Sequence, residues 1–147
     1  ATVRTISEDL RPGALDHLGL GAALQAMLRQ FSERTEVASQ LQAEGFDAQL
    51  SQARATAAYR ICQEALTNIA RHAGATQVVV RLASGAGWLT IEIEDNGRGL
   101  ASLTPTGKSI GLVSMAERAR EFGGNLASRP GAAGGTCLIL RMPLEDQ

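Results

Sequence analysis

Two clusters of side chains and one backbone feature in this 147-residue chain have types and spacings that could handle a charged, polar ligand. Glu64, Asn68 and Arg71 stand at spacings of four and three, which on an α-helix stacks them on one face. Carboxylate and amide oxygens are hard donors suited to Mg2+ and a guanidinium suits phosphate, so the three could meet on one triphosphate. An ordinary solvated helix face with His72 at its end would look the same. Asp95, within EIEDNGRGL from Glu92 to Leu100, can accept a hydrogen bond from an exocyclic amino group, while Gly97 and Gly99 would leave bare backbone for a ligand to approach. Asp or Asn before Gly is equally a strong hairpin signal, because these residues tolerate positive φ cheaply. The third feature is Gly111, read as opening a helix, where free amides form a ready anion site. Residues 100–110 would then be a loop over that site, with Lys108 either a phosphate contact or a solvated cation.

The elements that must position these residues follow from periodicity. Apolar residues Leu20, Leu24, Met27, Leu28 and Phe31 recur at helical spacing after the break at Arg11, Pro12 and Gly13, and predict a first helix. Residues 37–43 alternate as a short strand that Gly45 ends. The longest helical pattern runs from Ser51, a suitable N-cap, to about Ala73. It places Ala58, Cys62, Ala65, Leu66, Ile69 and Ala73 on one arc and the polar residues, Glu64 and Asn68 included, on the other. TQVVVRLAS and GWLTIEIED around Gly85 to Gly87 form a hairpin, and NLASRP and GTCLILRMP form another through Gly131 to Gly135. Between the hairpins, Leu112, Met115, Ala119 and Phe122 share a helix face before a Gly-Gly stop. The order predicts an α/β fold, a two-layer sandwich with a mixed sheet and about three helices.

Composition excludes several functions. The 14 basic and 15 acidic residues leave a net charge of -1, and the basic residues form no run, so the footprint for direct nucleic-acid binding is missing. Cys62 and Cys137 sit in apolar patterns, as small buried hydrophobes of a reducing compartment rather than as a disulfide or metal site. No apolar run approaches the roughly eighteen residues of a membrane span. The opening ATVRTISEDL reads as a helix joined in midstream, so we expect a cytoplasmic domain without membrane contact, from a parent that could be anchored in the inner membrane.

A turn at Asp95 to Gly99 should lead at once into a strand, yet loop residues and a helix follow it. Four features, EALTNIARH, DNGRG, GKSIGL and GGT, occur in that order. Together they resemble the N box and three glycine boxes of the ATP-binding catalytic domain of bacterial sensor histidine kinases, within the superfamily of gyrase, the Hsp90 chaperones and the mismatch-repair ATPases. SEDLRPGALDHLGLGAAL and GLVSMAERAREFGGNL are similar to the nitrate-sensor and desaturase-regulator group.

The resemblance implies a Bergerat-type ATP-binding fold over residues 14–147, preceded at 1–13 by the remnant of a dimerisation helix and linker. It implies ATP and Mg2+ as ligands, with Asn68 and Glu64 at the metal and in the catalytic role. Arg71, His72 and Lys108 would serve the phosphates, with Gly111 and Leu112 beside them. Asp95, Gly97, Gly99 and Thr136 would hold adenine, although Thr136 also suits an ordinary strand. The implied partners are the parent's dimerisation and phosphoacceptor domain and a response regulator, usually with a helix-turn-helix output domain. The family's acceptor histidine is followed by an acidic residue, whereas His17 precedes Leu18 and His72 precedes Ala73, so this chain should not phosphorylate itself. A self-standing anti-sigma-type serine kinase, a gyrase-like or mismatch-repair ATPase, and a nucleotide-free scaffold are the competing readings.

Overall fold

The computed structural model describes residues 19–43, 46, 50–97, 105–132 and 134–145, and of residues 72, 73 and 105–112 only the backbone. The expected remnant at 1–13 lies outside them. Helix α1 spans Gly19–Thr35 and buries Leu20, Ala23, Leu24, Met27, Leu28 and Phe31 along one stripe. Strand β1, Ala38–Gln42, follows. Helix α2, Gln52–Asn68, begins where expected: the Ser51 side chain accepts the Arg54 N–H at 3.1 Å and satisfies one of the orphan donors of the first turn. Its buried face carries Ala58, Ile61, Cys62, Ala65 and Leu66. The chain then widens into a π-type turn over Ile69–Ala73 and leaves it through Gly74 in the left-handed region.

Strands β2 (Gln77–Gly85) and β3 (Trp88–Asp95) form the first hairpin, helix α3 spans Pro105–Arg120, and β4 (Asn125–Pro130) and β5 (Thr136–Pro143) form the second. The five strands lie in the order β1-β2-β3-β5-β4. Only the β1–β2 pair is parallel, as the crossover through α2 requires; the others are antiparallel. On β3 the residues alternate, Leu89, Ile91, Ile93 and Asp95 buried and the residues between them only partly so. The apolar members of the buried set join Val78, Val80, Leu82, Leu138, Leu140, Met142 and the inner faces of the helices in one core. The result is the two-layer α/β sandwich with a mixed sheet.

Helix α3 corrects one expectation. It starts at Pro105, six residues ahead of Gly111. Pro at the first helical position brings a preset φ and no N–H to satisfy, and Thr precedes it in sequence. Gly111 therefore lies inside the helix and has no free N-terminal amides to offer. The other end is as expected: Gly123, at φ +79°, and Gly124 return their N–H groups to Arg120 and Ala119 at 3.0 Å each, a Schellman closure.

Candidate functional site

The last residue of β3 is Asp95, paired with Val78 of β2. On its other side the register Glu94↔Cys137, continued by one step, sets Asp95 beside Thr136, the first residue of β5. Both lie on the helix-covered side of the sheet, 6% and 7% exposed. One Asp95 oxygen, Oδ1, accepts the Gly97 N–H at 2.8 Å. Among the described residues no donor reaches Oδ2, and the Thr136 hydroxyl has no partner. Among the described residues the pair is thus left without a donor, and an unpaired buried acceptor costs about 1 to 3 kcal/mol.

The neighbouring turn packs closely against Asp95. Gly131 N–H donates to the Gly135 carbonyl at 2.8 Å, closing the loop between β4 and β5. Gly135 lies so near Asp95 that a Cβ there would overlap the Asp95 carbonyl and Oδ1. Glycine is thus demanded at this position by close approach, which no sequence spacing reveals.

Asn96, which sequence reasoning passed over, holds the end of β3 in place. Its Oδ1 accepts the N–H groups of Thr76 and Gln77 at 2.9 and 3.0 Å, and its Nδ2 donates to the Thr76 hydroxyl at 3.0 Å. The turn reading of EIEDNGRGL thus describes its start: Asp95 to Gly97 closes an Asx-turn, and among the described residues Oδ2 of the same carboxylate has no donor. An Asn beside a turn is the signal that could have found this role.

On α2, Glu64 and Asn68 sit half-buried one turn apart. Glu64 lines a cavity of about 210 Å3 between α2 and α3, together with Arg60, Gln63, Ser114, Met115 and Arg118. Exposed Arg71 belongs to the π-type turn, so the regular α spacing from Asn68 does not carry through to it. No hydrogen bond among the described residues joins this polar face to Asp95. Of His72, Lys108, Gly111 and Leu112 only the backbone is described, and Gly99 lies outside the described residues.

Among the described residues no group of three His, Cys, Asp or Glu side chains could hold a metal ion. The donor set of Asn68 and Glu64 nonetheless fits Mg2+, which commonly takes one or two protein oxygens and fills its octahedron from phosphates and water. Both cysteines are free and buried. Burial pushes the Cys62 thiol up to about 12 and raises that of Cys137, so neither is a nucleophile at neutral pH.

The opposite face of the sheet carries a second carboxylate, Glu94. It accepts from Arg81 at 2.7 Å through Oε1 and from the Ala132 N–H at 2.7 Å through Oε2. The Arg81 hydrogen bond, then the Ala132 amide, hold its carboxyl below the usual range against the opposing effect of burial. Arg81 also bonds Glu92 at 2.9 Å, and Glu92 meets Arg129 at 3.7 Å.

Residues 53–146, more than half of the chain, match the model of the histidine kinase-, DNA gyrase B- and HSP90-like ATPases. The sensor histidine kinase MctS of Rhizobium johnstonii is 42% identical over 144 residues, covering 96% of this chain and 31% of its own length. The signal transduction histidine-protein kinase/phosphatase DegS of Brevibacillus brevis is 35% identical over 147 residues, 100% of this chain and 38% of its own. The chain thus spans about a third of the length of these curated relatives. Among solved structures, the blue-light activated histidine kinase of Erythrobacter litoralis EL346 superposes with a TM-score of 0.70 at 24% identity, over 85% of this chain and 45% of that one. The ATP binding domain of PrrB from Mycobacterium tuberculosis does so with 0.66 at 22%, over 86% and 95%. At these identities the structural likeness speaks for the fold. Among the described residues no helix is long and apolar enough to cross a membrane.

Proposed function

The chain belongs to the histidine kinase-, DNA gyrase B- and HSP90-like ATPase family, and from that premise we propose that it binds Mg-ATP and donates the γ-phosphoryl group to a histidine on a separate dimerisation domain. From there the phosphoryl group passes to a response regulator in two-component signalling. The names of the curated relatives, a sensor histidine kinase and a signal transduction histidine-protein kinase/phosphatase, favour this over the other chemistries of the family.

The observation that carries the reading is the pair at the end of the central strand, incomplete among the described residues. Asp95 Oδ2, buried and without a donor among the described residues, accepts the exocyclic amino group of adenine. The Thr136 hydroxyl completes the base contact directly or through a water molecule, and Gly97 and Gly99 make room for the ring. On α2, Asn68 with Glu64 would hold Mg2+, and Arg71, His72 and Lys108 would balance the phosphate charge. When bound, the ion neutralises charge that develops on the phosphate oxygens. The protein's share is positioning: a strand end fixes the base, and the end of α2 with the turn after it meets the triphosphate.

Calorimetric titration with Mg-ATP tests this. The chain should bind, and Asp95→Asn, which puts a second donor where an acceptor is needed, should bind about tenfold to a hundredfold more weakly. Unchanged affinity in that variant would remove Asp95 from the base contact, and absence of binding in the parent would leave a scaffold.

A further inference from the structure

We propose that Glu94 and Arg81, on the sheet face turned away from the nucleotide, are positioning residues that latch the Gly131–Gly135 turn to the end of β3 and so hold Gly135 and Thr136 against Asp95. The inference rests on the adenine reading of Asp95.

The geometry is a chain of short contacts across the sheet. Glu94 precedes Asp95 on β3, so the two carboxyls project to opposite faces. Arg81 of β2 holds Glu94 Oε1 at 2.7 Å, which fixes the carboxylate plane. The other oxygen, Oε2, accepts the Ala132 N–H at 2.7 Å, inside the turn between β4 and β5. Within that turn Gly131 N–H donates to the Gly135 carbonyl at 2.8 Å, and Gly134 N–H to the Gly131 carbonyl at 3.2 Å. A Cβ added at Gly131 would come within 3.2 Å of both Glu94 Oε2 and the Asp95 carbonyl. The turn therefore rests on both residues at once, one through its side chain and the other through its backbone.

The latch matters because the ladder stops short of the turn. Regular pairing of β3 with β5 runs only to Glu94↔Cys137, and pairing of β4 with β5 ends at Pro130↔Thr136. Beyond those pairs the Glu94–Ala132 hydrogen bond is the described side-chain link between the turn and β3. Without it the turn can lift, and Thr136 and Gly135 lose their fixed distance from the Asp95 carboxylate. The exposed part of the pair is Arg81, whose side chain is 38% accessible while that of Glu94 is 13% accessible, so the arrangement can be altered without opening the core.

Calorimetry with Mg-ATP and Mg-inosine triphosphate, which carries an oxo group where adenine has its amino group, separates the latch from general weakening. Glu94→Ala should bind ATP about tenfold more weakly and inosine triphosphate within about twofold of the parent, so that selectivity falls. Glu94→Gln retains an oxygen for the Ala132 amide and should stay within about threefold of the parent for ATP. Amide exchange at Ala132 should rise in Glu94→Ala and hold in Glu94→Gln. Equal weakening for both nucleotides, or a parent-like ATP affinity in Glu94→Ala while Asp95→Asn is weakened, would overturn the latch. Should Glu94→Ala fail to fold, Arg81→Gln on the exposed end gives the same readout: lowered selectivity supports the latch and unchanged selectivity overturns it. A parent-like affinity in Asp95→Asn overturns the adenine assignment, and this inference with it, through a different arm of the experiment.

Discussion

Glu94 and Asp95 are consecutive carboxylates on one strand, and the protein treats them in opposite ways. Both oxygens of Glu94 have partners within the chain, an arginine and a backbone amide, on the face that none of the described helices covers. Asp95 is buried against the core with one oxygen engaged by its own turn and the other without a donor among the described residues. A saturated carboxylate serves the fold. A buried and unsaturated one is tolerated where a ligand completes it, since leaving it bare costs stability. The difference turns on satisfaction rather than charge, because the two side chains carry the same group one residue apart.

The largest effect should come from crowding the contact between Gly135 and Asp95. Gly135→Val places side-chain atoms where the Asp95 carbonyl and Oδ1 already sit, and should reduce Mg-ATP affinity more than about a hundredfold in a titration. Neutralising each carboxylate in turn gives a crossed result. Asp95→Asn should leave the thermal midpoint unchanged or higher while weakening nucleotide binding. Glu94→Gln should lower stability by about 1 kcal/mol in denaturant melts while binding changes little, because an internal charge pair is lost but the turn amide keeps its acceptor. Parallel changes in both variants would erase the distinction drawn here.

Acid sharpens it further. The Glu94 carboxyl is held below its ordinary value of 4.5, so its stabilisation is intact above that pH and fades as pH falls through the lowered folded value. The stability gap between the parent and Glu94→Gln, measured by thermal melts across that range, should therefore close at low pH. The smallest effect belongs to Thr136→Val, which removes one hydroxyl of similar volume and should weaken Mg-ATP binding by roughly threefold.

How much of this was legible beforehand depended on whether the cause was local. Helix α2 was, because its cap at Ser51 and its buried stripe are written within seventeen residues. The β2–β3 hairpin was equally plain from the alternation of Val78, Val80 and Leu82 against Leu89, Ile91 and Ile93. Asp95 stood out because a helix, not a strand, came after its glycines. The start of α3 departs from expectation because Gly107 and Gly111 look like loop residues, although Pro105 suits a first helical position. What no pattern in one sequence could disclose is long-range: that β5 inserts between β3 and β4, that Gly135 meets Asp95 across that junction, and that Glu94 reaches Ala132 on the far side of the sheet.

Helix α2 is secured unequally along its length. At its start Ser51 caps the first turn, and the buried Arg54 donates through Nε to the Pro143 carbonyl at 2.9 Å while stacking 5.3 Å above the Phe122 ring. At its end, where Asn68 stands, the regular ladder gives way to the wider turn over Ile69–Ala73. The helix is a cantilever, clamped at one end and ending in a wider turn at the tip. Hydrogen exchange should therefore grade along it, slow near Arg54 and faster past Asn68. On the proposed reading a triphosphate would settle at the wider turn, while the clamped end holds the helix against the sheet.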